Sequence, residues 1–262
     1  MGLTLALDSS QRWGGSVALA RGEELVAEVF HDPRQGYAES FFPLADAALA
    51  SAGAEIEDLE SFAVVTGPGS FTGLRIGVMS AKSLAFALGR PLFAATSLSM
   101  LAIGGRGVEA GDTVLALLEA GRDAVYAAAW TLENQRREPC LAPGRLTVGD
   151  LMDSVRGLPS PRSVVALGRI PGGEEHAGRA GEAPRGEAFE SLLEELAAMG
   201  FSRRVAPSLA STLALRCEAG DPWCPPADPA TLLPVYLGLS QAERVHGLDL
   251  SREVHRRRPP QT

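Results

Sequence analysis

Thr66-Gly67-Pro68-Gly69-Ser70-Phe71-Thr72-Gly73-Leu74-Arg75-Ile76-Gly77 stands between an apolar run, Phe62-Ala63-Val64-Val65, and a long helix-forming stretch that Gly89 and Pro91 close. A loop of this composition between a buried strand and a helix N-terminus has two uses. It makes a sharp turn that lets helix and strand pack closely, or it presents unpaired N–H groups to an anion. The residues favour the first use slightly. The spacing is neither GxxxxGK(S/T) nor GxGxxG after a first strand, so neither nucleotide fingerprint is met. Ser70 has no glycine two residues before it, so the nucleophile elbow of hydrolases fails as well. The phosphate or nucleotide candidates are therefore the loop residues themselves: Gly67, Pro68, Gly69, Ser70, Phe71, Thr72, Gly73 and Arg75.

Working outward, residues 3–7 read as a strand ending in Asp8-Ser9-Ser10. Residues 16–20 and 25–30 continue it as an antiparallel meander turning at Arg21-Gly22. Residues 39–52 carry Phe42, Ala45, Leu49 and Ala52 at helical spacing. The helix expected over 74–88 has Gly77, Ala81 and Ala85 four residues apart, a narrow stripe of small side chains. Internal packing is the plain use of such a stripe. The sharper expectation is that the two helices lie side by side and meet a partner helix through Gly77, Ala81, Ala85, Phe42, Ala45 and Leu49. A strand over 92–95 and a helix over 97–103 follow. After Gly104-Gly105-Arg106-Gly107, a second block has strands over 114–118, 125–130 and 164–167 and a helix over 189–198. Residues 171–186 read as a loop, and the proline-rich 222–234 as irregular. The pattern predicts an α/β protein of two related lobes, mixed sheets flanked by helices, divided as 1–105, 106–245 and a flexible tail 246–262.

Composition narrows the function. Of 262 residues 45% are apolar and 21% charged, enough for a substantial core. The net charge of −8 argues against a protein that grips nucleic acid by its phosphates. No apolar stretch reaches bilayer-crossing length, and Met1 to Leu7 has no basic flank of the export type. Three cysteines without a CxxC pair suit a reducing compartment, so a cytoplasmic location is expected. The four histidines form no HxxxH or HExxH pair, so no zinc or iron site is proposed from them. Nor do the acidic residues form an acid–base pair.

The string from Gly67 to Gly77, reached after Leu3 to Ser10 and a β-meander, closely resembles the TsaB (YeaZ) family. Further on, Glu119 to Tyr126 is similar to that family's DARRGEVY stretch, with Arg122, Val125 and Tyr126 retained in type. Pro234-Val235-Tyr236-Leu237 is similar to its PxYLR ending, with Gly238 where arginine is usual. The resemblance implies a two-lobed actin-like, RNase H-like (ASKHA) fold. It implies the small, non-catalytic subunit of the bacterial machinery that makes threonylcarbamoyladenosine in tRNA. The implied partner is a larger catalytic paralogue of the TsaD type, which binds metal and ATP. A TsaE-type ATPase of the same complex, a homodimer when the chain is alone, and contact with tRNA only through the complex are further implications. No cofactor is expected on this chain alone, with ATP or ADP placed at the partner interface. The paralogue's PLxxVNHxxGH-type segment corresponds here to Pro91 through Leu101, so Ser97 and Leu101 take the places of its two metal-binding histidines. Leucine coordinates no metal and serine is a poor ligand for zinc or iron. The alternatives are an actin-fold kinase or transferase, supported only by Asp8 and the glycine-rich loop, and a metallopeptidase, which the missing histidines dispose of.

Overall fold

The strand Leu3–Asp8 (β1) is buried along its whole length, as a central strand covered on both faces must be. It begins a computed structural model that describes residues 2–11, 15–31, 37–121, 124–132, 138–167, 187–206, 208–218 and 221–238. Next come Ser16–Arg21 (β2) and Glu24–Phe30 (β3), each antiparallel to its predecessor. Tyr37–Ala52 (α1), Leu59–Val65 (β4), Phe71–Leu88 (α2), Leu92–Ala95 (β5) and Ser97–Gly104 (α3) complete the first block. β4 lies parallel to β1 and to β5.

The second block repeats this plan. Thr113–Glu119 (β6), Ala124–Thr131 (β7) and Leu141–Thr147 (β8) form an antiparallel meander, followed by Val148–Val155 (α4) and Arg162–Leu167 (β9). Glu187–Ala198 (α5), Ser202–Ala206 (β10) and Leu209–Glu218 (α6) come next, with β9 parallel to both β6 and β10. A two-residue strand, Pro226–Ala227 (β11), ends the regular structure among the described residues. The first sheet runs β11-β5-β4-β1-β2-β3 and the second β10-β9-β6-β7-β8. Three antiparallel strands followed by two parallel ones thus occur twice, which gives the expected pair of related lobes a structural form.

Alternation along the strands sorts side chains into layers. On β1, Leu3, Leu5 and Leu7 face a cluster containing Phe41, Ala45 and Leu49 of α1 and Val78, Ala81 and Ala85 of α2. The opposite face of the first sheet presents Ala6, Ala18, Ala20 and Ala63 to α3 and α6. Val114, Ala116 and Leu118 of the second sheet enter that same cluster. The outer face of the second sheet, Leu115 and Leu117, is covered by Leu151 and Val155 of α4 and Leu192, Leu193 and Leu196 of α5. The order is α1/α2, sheet, α3/α6, sheet, α4/α5.

Two expectations change. The helix after the loop begins at Phe71 rather than residue 74, because Ser70 caps it by accepting a bond from Gly73 N. The division at residue 105 holds only as far as β10: β11 pairs with β5, and α6 packs on β1 and β2, so the chain after 208 returns to the first sheet. The 171–186 segment and the 246–262 tail lie outside the described residues.

Candidate functional site

The loop after β4 is fastened on three sides. Thr66 N and Oγ1 both donate to Ala95 O, at 2.9 and 3.0 Å. Ser97 N donates to Gly67 O at 2.8 Å, which ties the loop to α3. Ser70 N donates to Ser10 O at 2.6 Å, which ties it to the end of β1. The glycine spacing follows from that last contact. A Cβ on Gly69 would collide with Ser10 O, one on Gly73 with Ser9 O, and one on Gly77 with Ser9 Oγ. Glycine every fourth residue lets the start of α2 cross directly over Ser9-Ser10. Close packing is therefore the structural role of the motif, and Ser10 O and Ser70 Oγ take up two of the N–H groups that an anion would need.

Residues far apart in sequence meet here. Val235 N donates to Thr66 O at 2.8 Å, and Lys82 Nζ reaches Leu232 O at 2.8 Å. The Tyr236 ring stands 4.5 Å from that of Phe71, and the Arg75 guanidinium lies 4.4 Å from the centre of the Phe71 ring. The proline-rich stretch over 225–238 is thus a strap along the loop and α2. Nothing in the periodicity of 222–234 announces it; the PVYL resemblance is the one signal that marks its end. Beside Gly238, Arg145 Cδ lies 3.0 Å from where a Cβ would stand, so an arginine from β8 borders this position.

A buried polar cluster lies at the end of β1. Burial pushes the Asp8 carboxyl up to about 6, against hydrogen bonds from the Ser10 side chain and backbone that hold it down; the neighbouring Glu28 charge pushes it further up. Glu28 is itself raised by burial and lowered by bonds from Ser208 and Ser16. The Ser208 hydroxyl donates to Glu28 Oε1 and, at the start of α6, accepts from Ser211 N at 2.9 Å. The cluster joins the first sheet to α6.

The interface candidates divide sharply. Gly77, Ala81 and Ala85 are buried, with Ala81 fully enclosed between α2 and the first sheet. Ala45 and Leu49 are also buried in that layer. The small stripe is the inner face of α2 and offers nothing to a partner helix, which corrects the expectation for these five residues. Of the six, Phe42 alone is exposed, at 51%. Sequence reasoning missed the outward residues Met79, 57% exposed, and Phe86, 83% exposed. Their signal was available: 75, 79, 83 and 86 follow helical spacing on the face opposite the small stripe.

Ser97 and Leu101 sit one turn apart on α3, both fully buried, and Leu101 belongs to the apolar layer between the sheets. Ser97 Oγ has no hydrogen-bond partner among the described residues. Among those residues no group of three or more His, Cys, Asp or Glu is placed to hold a metal ion.

A family model described as "TsaD: tRNA N6-adenosine threonylcarbamoyltransferase" matches residues 25–166. The "tRNA threonylcarbamoyladenosine biosynthesis protein TsaB" of Bacillus subtilis is 30% identical over 164 residues, 63% of this chain and 69% of that one. The chain belongs to the TsaB family. The TsaB of Escherichia coli is 32% identical over 134 residues, 51% of this chain and 55% of that protein. "YeaZ from Pseudomonas aeruginosa" superposes with a TM-score of 0.63 at 22% identity, covering 89% of this chain and all of that one. Both lobes of the TsaB family's actin-like fold are therefore present. No helix among the described residues is long and apolar enough to cross a membrane.

Proposed function

We propose that this chain is a non-catalytic subunit that supports threonylcarbamoyl transfer to the adenosine beside the anticodon of tRNA, by docking on a catalytic paralogue of the TsaD type. The observation that carries the docking is the exposed apolar surface of α1 and α2. Phe42, Met79 and Phe86 stand outward on two helices whose inner faces are already filled by the first sheet. Large side chains exposed on neighbouring helices mark a contact surface better than isolated apolar residues do. Transfer chemistry is left to the partner, because Ser97 and Leu101 are enclosed at the places where the catalytic relatives carry metal-binding histidines. In the absence of the partner the same helix face closes a homodimer.

ATP or ADP belongs at the joint between the two chains, since the glycine-rich loop here already spends two of its N–H groups internally. Contact with tRNA is made through the complex, in keeping with the net charge of −8. A TsaE-type ATPase binds the assembled pair.

The test is co-elution with the catalytic paralogue of the same organism on a sizing column, with and without ATP, comparing the natural chain with Phe86→Glu and Met79→Glu. Both substitutions lie on solvent-facing positions, so the unfolding midpoint is expected to move by no more than about 0.5 kcal/mol of stability. Co-elution is expected to be lost. Full co-elution of folded variants removes this face from the interface.

A further inference from the structure

On the second lobe, β6, β9 and β10 are parallel neighbours, so their N-terminal ends open on one edge of the sheet. The residues leading into these strands line an open pocket of about 330 Å³, among them Glu109, Asp112, Arg162, Ser163 and Arg204. A cavity of this size is at the small end of ligand pockets. Its charges are arranged unusually. Arg162 is fixed: it donates to Val155 O and Met199 O, at 3.5 and 3.2 Å, and its guanidinium lies 4.9 Å from the centre of the Phe201 ring. Arg204 is not fixed by any such bond. Its buried Nε has no partner, and its guanidinium makes no hydrogen bond or ion pair with the described residues. Gly107, at φ 73°, lies against this guanidinium: a Cβ there would stand 3.2 Å from Arg204 Nη1.

Across the same cavity, Asp112 accepts from Glu109 N at 3.2 Å and from the Ser163 hydroxyl at 3.5 Å, which holds its carboxylate in place. No ion pair joins either carboxylate to either guanidinium among the described residues. The charges line one small pocket without pairing: Asp112 is held by two bonds to Oδ2, Glu109 is exposed, and the half-buried Arg204 guanidinium, without a partner among the described residues, is the costly member. A simple anion would satisfy Arg204 but stand beside two carboxylates. A simple cation would meet the reverse conflict. A ligand with both charges a few atoms apart satisfies both.

We propose that this cavity binds a free α-amino acid, its carboxylate on Arg204 and its ammonium on Asp112 and Glu109. The site is independent of the α1/α2 face. Thermal unfolding of the full chain with each of the twenty protein amino acids in turn, beside acetate, inorganic phosphate and methylammonium at equal ionic strength, tests it. One or a few amino acids are expected to raise the midpoint in a concentration-dependent way, as a ligand of the native state must, while the single-charge probes do not. Calorimetric titration of that amino acid is then expected to show at least about tenfold weaker binding to Arg204→Gln and to Glu109→Gln, the loss of one charge-assisted bond each. Should Arg204→Gln fail to fold, Glu109→Gln carries the comparison. The proposal is overturned if no amino acid binds at about 10 mM, if acetate or phosphate stabilises the chain equally, or if folded variants bind as the natural chain does.

Discussion

Ala81 shows how one side chain fixes the meaning of a motif. It is fully buried against the first sheet, so Ala81→Trp must push α2 off β1 and β4. Overpacking of that kind costs about 3 kcal/mol or more, and denaturant unfolding is expected to show a loss of this order. A folded, undiminished Ala81→Trp would mean that the stripe faces outward after all. Asp8 supports a second residue-level test. Its carboxyl is raised from an ordinary 3.8 to about 6, chiefly by burial. The folded state therefore holds its proton longer than the unfolded state does. Stability from this group is fully present below pH 3.8 and is lost as pH rises through about 6. Asp8→Asn keeps an oxygen for the 2.8 Å bond from Ser10 N and removes the charge. It is expected to gain about 3 kcal/mol at pH 7.5 and almost nothing at pH 3.5. Glu28 is shifted in the same direction, so the variant keeps part of the slope. Equal stability differences at the two pH values would show that Asp8 carries no burial penalty.

At the scale of elements, the strap and the glycine-rich loop act as one unit. Val235→Pro deletes the N–H that bonds Thr66 O, leaving a carbonyl without its partner. A loss of about 1–3 kcal/mol is expected, with faster hydrogen exchange at the start of α2. Unchanged exchange there would mean that the strap merely lies on the surface. How much of this was legible depended on whether an element shows two different faces. The meander, α1, α2 and the strands β4 to β7 and β9 alternate or repeat visibly, and sequence alone places them within a few residues. The segment Leu209–Glu218 does not, because α6 lies between the two sheets and is buried almost all round; Leu209, Ala210, Leu213 and Ala214 leave no clear polar stripe. β8 carries Pro143 and Gly144, which argue against a strand except at an edge, and an edge is where it lies. The glycine motif was legible as a turn, but periodicity cannot tell an inward stripe of small residues from an outward one. Only the position of the sheet decides that. The mixed-charge cavity was invisible, since Glu109, Asp112, Arg162 and Arg204 come from three separate strand entrances.

For the whole molecule, the question is whether two lobes with the same strand plan unfold as one or two bodies. Duplicated lobes joined by a hinge would give two transitions. Here the layer between the sheets is a shared apolar cluster: Ala6, Ala18 and Ala63 from the first sheet, Val114, Ala116 and Val165 from the second, with α3 and α6 between. The bond from Ser208 to Glu28 adds a polar tie from α6 to β3. Neither sheet can lose α6 without exposing its inner face, so each lobe's stability depends on the other. Leu213 is fully buried in that layer. Leu213→Ala is expected to cost about 2–5 kcal/mol, the range for leucine truncation in a closed core. The decisive reading is the shape of the calorimetric trace rather than its shift. If the shared layer couples the lobes, the variant melts earlier in a single transition whose calorimetric and van't Hoff enthalpies still agree. If the lobes are only docked, weakening the layer uncouples them, and the trace splits into two peaks with the first sheet and the second unfolding separately.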